Sequence, residues 1–214
     1  MIYPESPCAH HWIDPLCVEG ARGIEIGGSL HNPFNFPFKQ NVDYTDSTDT
    51  LFKQEEIKRT GGTLPVDIVA FADDLPFTNE TLSYLIASHV FEHQPNPIRA
   101  LAEWYRVLRP GGVLYLVIPF RHAAPEDRSQ PLTTLGHIIN DFFDGESVDT
   151  HETLPGHGKY GHYHTFSYNS FSRLLNLFNE MVHDNKKVMA FKILETLFTD
   201  DKVPNGFVYV LKRI

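Results

Sequence analysis

Apolar and polar positions alternate along this chain in the rhythm of strands and helices wound around one sheet. Residues 23–28, Gly-Ile-Glu-Ile-Gly-Gly, alternate briefly and run into a double glycine. That is a short buried strand ended by a turn where the backbone bends sharply or comes close to another group. Residues 41–44 and 66–71, the latter introduced by Pro65, are further short strands. The run 82–90 is largely apolar, as expected of a central strand covered on both faces. From 96 to 108 the period changes: Ile98, Leu101, Ala102, Tyr105 and Leu108 fall on one helical stripe. Pro97 stands early in that helix, where its missing N–H does no harm, and Pro110-Gly111-Gly112 stops it. Residues 113–119 return to strand. Periodicity then fades over 121–165, with local structure expected only around 135–143. An amphipathic helix over 168–182 and two strands, 188–199 and 207–214, close the chain, with Asn205-Gly206 as the turn between them.

This order predicts an α/β fold, doubly wound, with a mostly parallel sheet closed by a C-terminal hairpin. No internal repeat or linker divides the 214 residues, so one domain over 1–214 is expected. Within it, 1–20, interrupted by Pro4, Pro7 and Pro15, reads as an irregular segment, and 121–165 as a His-rich insertion. A chain of this length buries roughly 70% of the surface its unfolded form exposes, so it needs no cross-links to hold a core.

Charge narrows the partners. Eighteen Lys and Arg stand against 27 Asp and Glu, for a net charge of −9 with histidine neutral. No sustained basic stripe exists for nucleic acid or anionic lipid, and no apolar run approaches the ~20 residues that span a bilayer. The opening residues do not read as a secretory signal. Cys8 and Cys17 make no disulfide framework, so a reducing cytoplasm is the expected compartment.

A glycine-rich turn after a strand is how open α/β sheets receive a nucleotide-bearing ligand. Glu25-Ile26-Gly27-Gly28 supplies such a turn, and Asp43 offers a carboxylate at the end of the next strand, able to accept hydrogen bonds from two ribose hydroxyls. On these residues alone, a bare turn with Asp43 as its cap is an equal reading. The longer series is more specific. Leu75-Pro76-Phe77 precedes Ser88-His89-Val90-Phe91-Glu92-His93, then Asn96-Pro97, Ala100-Leu101, Glu103 and Arg106-Val107-Leu108-Arg109-Pro110-Gly111-Gly112. In order and spacing this series resembles the S-adenosylmethionine-dependent methyltransferases of the seven-stranded Rossmann-like type, over about residues 23–120.

The resemblance implies a seven-stranded sheet with a reversed last hairpin strand, and S-adenosylmethionine over the strand ends, released as S-adenosylhomocysteine. By that likeness Glu25 holds the methionine amino end, Gly27 and Gly28 admit the cofactor to the backbone, and Asp43 takes the ribose hydroxyls. Phe71 and Ala72 line the adenine pocket, and Ser88 and His89 lie beside the methionine moiety and sulfonium. Two departures stand out. The family's helix after the first turn is expected to be short or absent here, because 29–38 contains Pro33 and Pro37. Phe71 stands where the family usually has an acid, which leaves stacking for adenine and Asp73 for its amino group.

Methyl transfer to a hydroxyl calls for a base titrating near neutrality, which makes histidine the natural residue. Of the 12 histidines, His93, just past the central strand, and His122, just past the next, are the candidates. His151, His157, His162 and His164 suggest a metal tract, but a substrate-facing lid is preferred and no metal is assigned. Cys8, His10, His11 and Cys17 match no defensible zinc spacing, and their expected role is packing. The expected function is therefore S-adenosylmethionine-dependent transfer to a small-molecule acceptor, at oxygen. The alternatives are a methyltransferase-like binding module without catalysis and a metal-dependent enzyme built on the His-rich insertion. A nicotinamide oxidoreductase ranks lower, because residues 25–31 lack the three-glycine phosphate fingerprint.

Overall fold

The computed structural model describes residues 2–181 and 190–214, so Val182 and residues 188–189 of the expected closing elements lie outside the described residues. In chain order the elements are α1 (Pro7–Ile13), β1 (Gly23–Ile26), β2 (Lys39–Asp43), α2 (Leu51–Thr60), β3 (Ile68–Val69) and β4 (Leu82–Ser88). Then follow α3 (Pro97–Val107), β5 (Leu108–Pro119), α4 (Leu135–Asp144), α5 (Tyr168–Met181), β6 (Phe191–Leu197) and β7 (Gly206–Arg213). Among the described residues seven strands form one sheet in the order β3-β2-β1-β4-β5-β7-β6. It is parallel except for β7, which runs antiparallel to both β5 and β6. The α/β architecture, the mostly parallel sheet and the reversed C-terminal strand are as the sequence predicts.

The apolar run of β4 lies between β1 and β5, and its residues Leu82 to Ala87 are all buried. On one face it packs with α3, α4 and α5 in a cluster that includes Trp104, Phe166, Phe171 and Phe178. α3 begins as expected: Asn96 accepts a hydrogen bond from the Arg99 N–H, and Pro97 follows the cap. Its end differs from the expectation. The helix stops at Val107, Leu108 already pairs with Leu82, and Pro110-Gly111-Gly112 is an irregularity within β5. A Cβ on Gly112 would stand 2.9 Å from the Arg109 carbonyl oxygen and 3.1 Å from that of Leu82.

The other face has no helix from the β1–β2 connection. As expected, residues 27–38 cross from one parallel strand to the next without a helix. The space is filled by Phe34 and Phe36 of that connection and by α1, which pack on Tyr84, Ile86, Tyr115, Val117, Val208 and Val210. Residues 1–20 are thus not irregular throughout. Pro7 opens α1 after the Ser6 cap, a position where proline assists a helix. Ser6 also hydrogen-bonds the Tyr115 hydroxyl at 2.9 Å and donates to Asp201 at 3.0 Å.

Three further expectations are corrected. α2 had no counterpart in the sequence reading, because its buried residues are Lys53 and Glu56 while Leu51 and Phe52 point outward. The strand expected over 66–71 is only the two residues of β3. Asn205-Gly206 is not a two-residue hairpin turn: β6 ends at Leu197 and β7 begins at Gly206, so residues 198–205 form the connection.

If Phe34 substitutes for a missing helix, it is core. Phe34→Ala is expected to cost roughly 4 kcal/mol, a fall in Tm of about 10 °C for a chain of this size. Thermal unfolding by circular dichroism reads it. A loss under about 1 kcal/mol would mean that this face is not a cooperative part of the core.

Candidate active site

In open α/β sheets the binding crevice lies outside the carboxyl ends of the strands, where the chain reverses its direction of winding. Here that point is between β1 and β4, and a cleft of about 480 Å³ opens there. Its floor is backbone. Gly27 has φ +65°, and a Cβ on it would stand 2.9 Å from Val90. A Cβ on Gly28 would meet Leu64 at 2.8 Å and the Glu25 carboxyl carbon at 2.9 Å. Side chains are sterically excluded from both positions, so a ligand can reach the main chain.

The acids around this floor are paired with lysines. Glu25, on β1, is buried and forms an ion pair with Lys39 of β2. Burial pushes its carboxyl pKa up, and the Lys39 ammonium opposes that. Asp43 accepts a hydrogen bond from the Tyr44 N–H at 2.8 Å, and its other oxygen is 3.4 Å from Lys53 Nζ. Burial again raises the carboxyl, with Lys53 pulling the other way. Lys53 is itself buried and also lies 3.4 Å from Glu56, whose second oxygen accepts from the Leu30 and Leu64 N–H groups at 2.7 Å each. α2 therefore sets a buried lysine between two carboxylates at the edge of the cleft.

On the far side, Phe71 is exposed at the rim, and the Ala72 carbonyl accepts from the Trp104 indole at 2.9 Å. Asp73 lies 3.2 Å from Arg99, and burial raises its carboxyl against that partner. Ser88 ends β4 and accepts from the Asn32 amide at 3.3 Å, while the Asn32 carbonyl oxygen is buried with no partner. His89 follows with φ +56°, a left-handed conformation that a residue with a Cβ rarely adopts. Such strain persists where surrounding structure enforces it, and it clusters at functional sites.

The roof comes from the segment 121–165. Tyr160 packs on Tyr44 with ring centroids 4.7 Å apart, and His162 meets His93 edge-on at 4.6 Å. His93 Nδ1 lies 3.0 Å from the carbonyls of both Tyr160 and Gly161. Carbonyls only accept, so Nδ1 carries the proton and Nε2 keeps a lone pair. Burial, helped by His162, pushes His93 down to about 3, and burial pushes His89 down to about 4. Glu92, between them in sequence, is buried with neither carboxylate oxygen hydrogen-bonded, and burial pushes it up to about 8.

The structure thus places Glu25, Gly27, Gly28, Asp43, Phe71, Ala72, Asp73, Ser88, His89 and His93 around one cleft. His122 is elsewhere: it is exposed, stacked on Phe120, and not among the lining residues. Lys53, Asn32 and Tyr160 also line the cleft, and nothing in the sequence gives them a part in a site; His162 lines it too, from the tract expected to form a substrate-facing lid. Tyr160 and His162 come from a segment without periodicity, and Lys53 from a helix without an apolar stripe. Cys8, His10, His11 and Cys17 do not converge as ligands; Cys8 donates toward Glu195, and Cys17 toward the Ile13 carbonyl.

A family model described as a methyltransferase domain matches residues 31–116. An uncharacterised protein of Methanocaldococcus jannaschii is 32% identical over 104 residues, 47% of this chain and 46% of that protein. The 2-methyl-6-phytyl-1,4-hydroquinone methyltransferase 1 of Oryza sativa is 31% identical over 51% of this chain and 32% of its own length. An uncharacterised Mycobacterium bovis methyltransferase is 27% identical over 72% of this chain and 58% of its own. In each case the match spans less than two thirds of the curated relative. Among solved structures, an S-adenosylmethionine-dependent methyltransferase from Methanosarcina mazei superposes with TM-score 0.51 at 17% identity, covering 97% of both chains. A chain from the complex of the Haloferax volcanii Trm112 activator with a methyltransferase gives TM-score 0.53 at 12% identity, covering 95% of this chain and 87% of that one. These two likenesses are of fold.

Lys53 is the residue whose loss the cleft should feel most. Lys53→Met leaves Asp43 and Glu56 buried without their cation and is expected to cost about 3 kcal/mol near neutral pH. The defect should shrink as pH falls toward 4, because burial holds the Asp43 carboxyl above its usual range and its protonation removes a charge that needs the lysine. Denaturant titrations at pH 7.5 and 4.5 check this; an equal defect at both would mean that packing, not charge, is what Lys53 contributes.

Proposed function

We propose, since this chain belongs to the S-adenosylmethionine-dependent methyltransferases with the class I Rossmann-like fold, that it transfers a methyl group to the oxygen of a small-molecule acceptor. The observation that carries this reading is the cleft at the β1–β4 reversal, floored by Gly27 and Gly28 and flanked by Asp43. The residues present suit the cofactor. Two glycines leave room where any Cβ would intrude, the volume is that of a small-molecule site, and the buried Asn32 carbonyl oxygen awaits a donor.

In this reading Asp43 holds the ribose hydroxyls, Glu25 and Asn32 the methionine amino end, and Ser88 and His89 border the sulfur. Phe71 and Ala72 enclose the adenine, with Asp73 toward its amino group. When bound, S-adenosylmethionine supplies a methyl on a positively charged sulfur, and in-line displacement by the acceptor leaves S-adenosylhomocysteine. The chain's task is to align the acceptor, exclude water and take its proton. His93 is the proposed base: with the proton on Nδ1, its Nε2 keeps a lone pair 3.6 Å from Glu92 Oε1, although burial, which pushes its pKa down to about 3, makes it a weaker base than an ordinary imidazole. His122, outside the cleft lining, has no part in the reaction. Segment 121–165, which brings Tyr160 and His162 over the cleft, forms the acceptor wall, with 1–214 acting as one domain. The net negative charge and the lack of a sustained basic stripe in the sequence argue for a small acceptor over nucleic acid. Among the described residues no helix is long and apolar enough to cross a membrane.

A second reading rests on the same ion pairs. Lys39 and Lys53 already engage the two acids that would hold the cofactor, as expected of a cleft that binds without transferring. Calorimetric titration with S-adenosylhomocysteine separates the two. Micromolar binding that Asp43→Ala weakens at least tenfold, about 1.4 kcal/mol, supports methyl transfer; no binding by the folded wild type rejects it.

With an acceptor in hand, His93→Gln should lower kcat by about 100-fold or more. The acid limb of the wild-type kcat/KM profile should fall below pH 5, because the neutral form is the base and its pKa is depressed. A limb near 6.5 would point instead to an ordinary solvent-exposed histidine.

A further inference from the structure

The four histidines clustered in the sequence do not form one group. His157 and His162 flank the buried Asp127 carboxylate, at 2.8 and 2.5 Å. His151 and His164 turn the other way and meet two residues of α4, His137 and Asp141, one helical turn apart. His137 Nε2 is 3.2 Å from His151 Nε2. Asp141 lies 3.6 Å from His137 Nε2, 3.5 Å from His151 Nε2 and 3.8 Å from His164 Nε2.

Those four separations have the size of the edges of a ligand tetrahedron, with the Asp141 contacts divided between its two oxygens, and all four ligand atoms lie within 4.8 Å of one another. Ligand atoms at 2.0–2.1 Å from a tetrahedral zinc stand about 3.3 Å from one another. Imidazoles bound through Nε2 at that distance place their ring centroids about 5.2 Å apart. The three rings here have centroids 5.3, 5.5 and 5.2 Å apart, mutually steep at 87°, 67° and 77°. We propose that His137, Asp141, His151 and His164 bind one zinc ion in a tetrahedral site that fastens α4 and the 145–151 turn to the strand-like segment leading into α5.

The buried polar atoms argue for a cation and against simple hydrogen bonding. His164 is fully buried and neither ring nitrogen makes a hydrogen bond of good geometry, with only the Gln94 and Pro95 carbonyls close by; the Asp141 Oδ2 atom is likewise buried without a hydrogen bond, facing only imidazoles. Buried polar groups in folded proteins are nearly always satisfied, and a bound ion is one of the ordinary reasons for an exception. Outer contacts agree. His151 Nδ1 is 2.7 Å from the Glu152 carbonyl, which fixes its proton there and leaves Nε2 for a metal. The Asp141 carbonyl accepts from the Asn96 amide at 2.9 Å, anchoring the first residue of the α3 cap to the ligand-bearing helix. Three neutral imidazoles and one carboxylate suit zinc, and four protein ligands make a closed site, as structural zinc has. None of the four lines the cleft, so the ion stands outside the methyl-transfer chemistry and acts on it only by holding the segment that carries Tyr160 and His162.

The test is zinc content of the full chain, purified without a histidine tag from zinc-supplemented cells, with His137→Ala and His151→Ala beside it. Both positions reach the surface, His137 more than His151, so the variants are expected to fold. His157→Ala, in the neighbouring Asp127 group, is the control. About one zinc per chain is expected in wild type and His157→Ala, and under a fifth of that in the two ligand variants. A chelator should lower the wild-type Tm, added zinc should restore it, and neither should move His137→Ala. Folded wild type with under about a tenth of an equivalent, and no zinc-dependent Tm, would overturn the proposal. So would zinc that persists in both ligand variants. Metal content does not depend on S-adenosylhomocysteine binding, so this proposal and the methyltransferase reading fail separately.

Discussion

The crossing from β1 to β2 without a helix governs much of the rest of this molecule. A parallel pair of strands needs a connection that covers a face of the sheet, and a helix does so cheaply because it satisfies its own backbone. Prolines 33 and 37 deny that option to residues 29–38. The face is covered instead by two phenylalanines from the connection and by a short helix from earlier in the chain. That helix is held by side chains rather than by length: Ser6 to Tyr115 and Asp201, and the Trp12 indole to Glu195 at 2.5 Å. The open connection also leaves Asn32 beside Ser88, where an ordinary helix start would have placed main-chain N–H groups.

Charge in the cleft is arranged with little to spare. Glu25 meets Lys39, Asp43 and Glu56 share Lys53, and Asp73 meets Arg99, while Asp127, outside the lining, lies between two histidines. Glu92 is the exception, and burial keeps its proton on near neutral pH. A cleft so nearly neutralised presents local dipoles rather than a strong field to a ligand. Binding there therefore relies on fit and hydrogen bonding more than on long-range attraction.

Legibility in the sequence followed the source of each element's stability. β4 and α3 bury apolar stripes, and their periods were readable to within a residue or two, whereas α4 was legible only as local structure around 135–143. α2 buries a lysine and a glutamate, so its amphipathic face is inverted and invisible to an apolar count; the Thr50 cap and Gly61 stop were its remaining signals. α1 was hidden by neighbouring prolines, although Pro7 in its first turn is a helix-starting residue. The glycine turn after β1 and Asp43 on β2 were found because strand ends in this architecture converge by topology, and Glu25, Ser88 and His89 through the resemblance to the methyltransferases. The division of the histidines was not, because 121–165 has no period to say which imidazoles face one another. His137 and Asp141, four apart within the stretch expected to hold local structure, were the overlooked cue.

The pinning of α1 has a consequence for how the chain is made. Ser6 and Asp201 are 195 residues apart, Cys8 and Asp201 193, and Trp12 and Glu195 183. During synthesis, which proceeds from the N-terminus at about 5–20 residues per second, α1 emerges early and waits for the last hairpin. Until then Phe34 and Phe36 lack part of their cover and the future sheet face is open. The closing step joins α1 to residues more than 180 positions further along the chain, so it waits for the β6–β7 hairpin, and the intermediates before it carry an exposed aromatic surface.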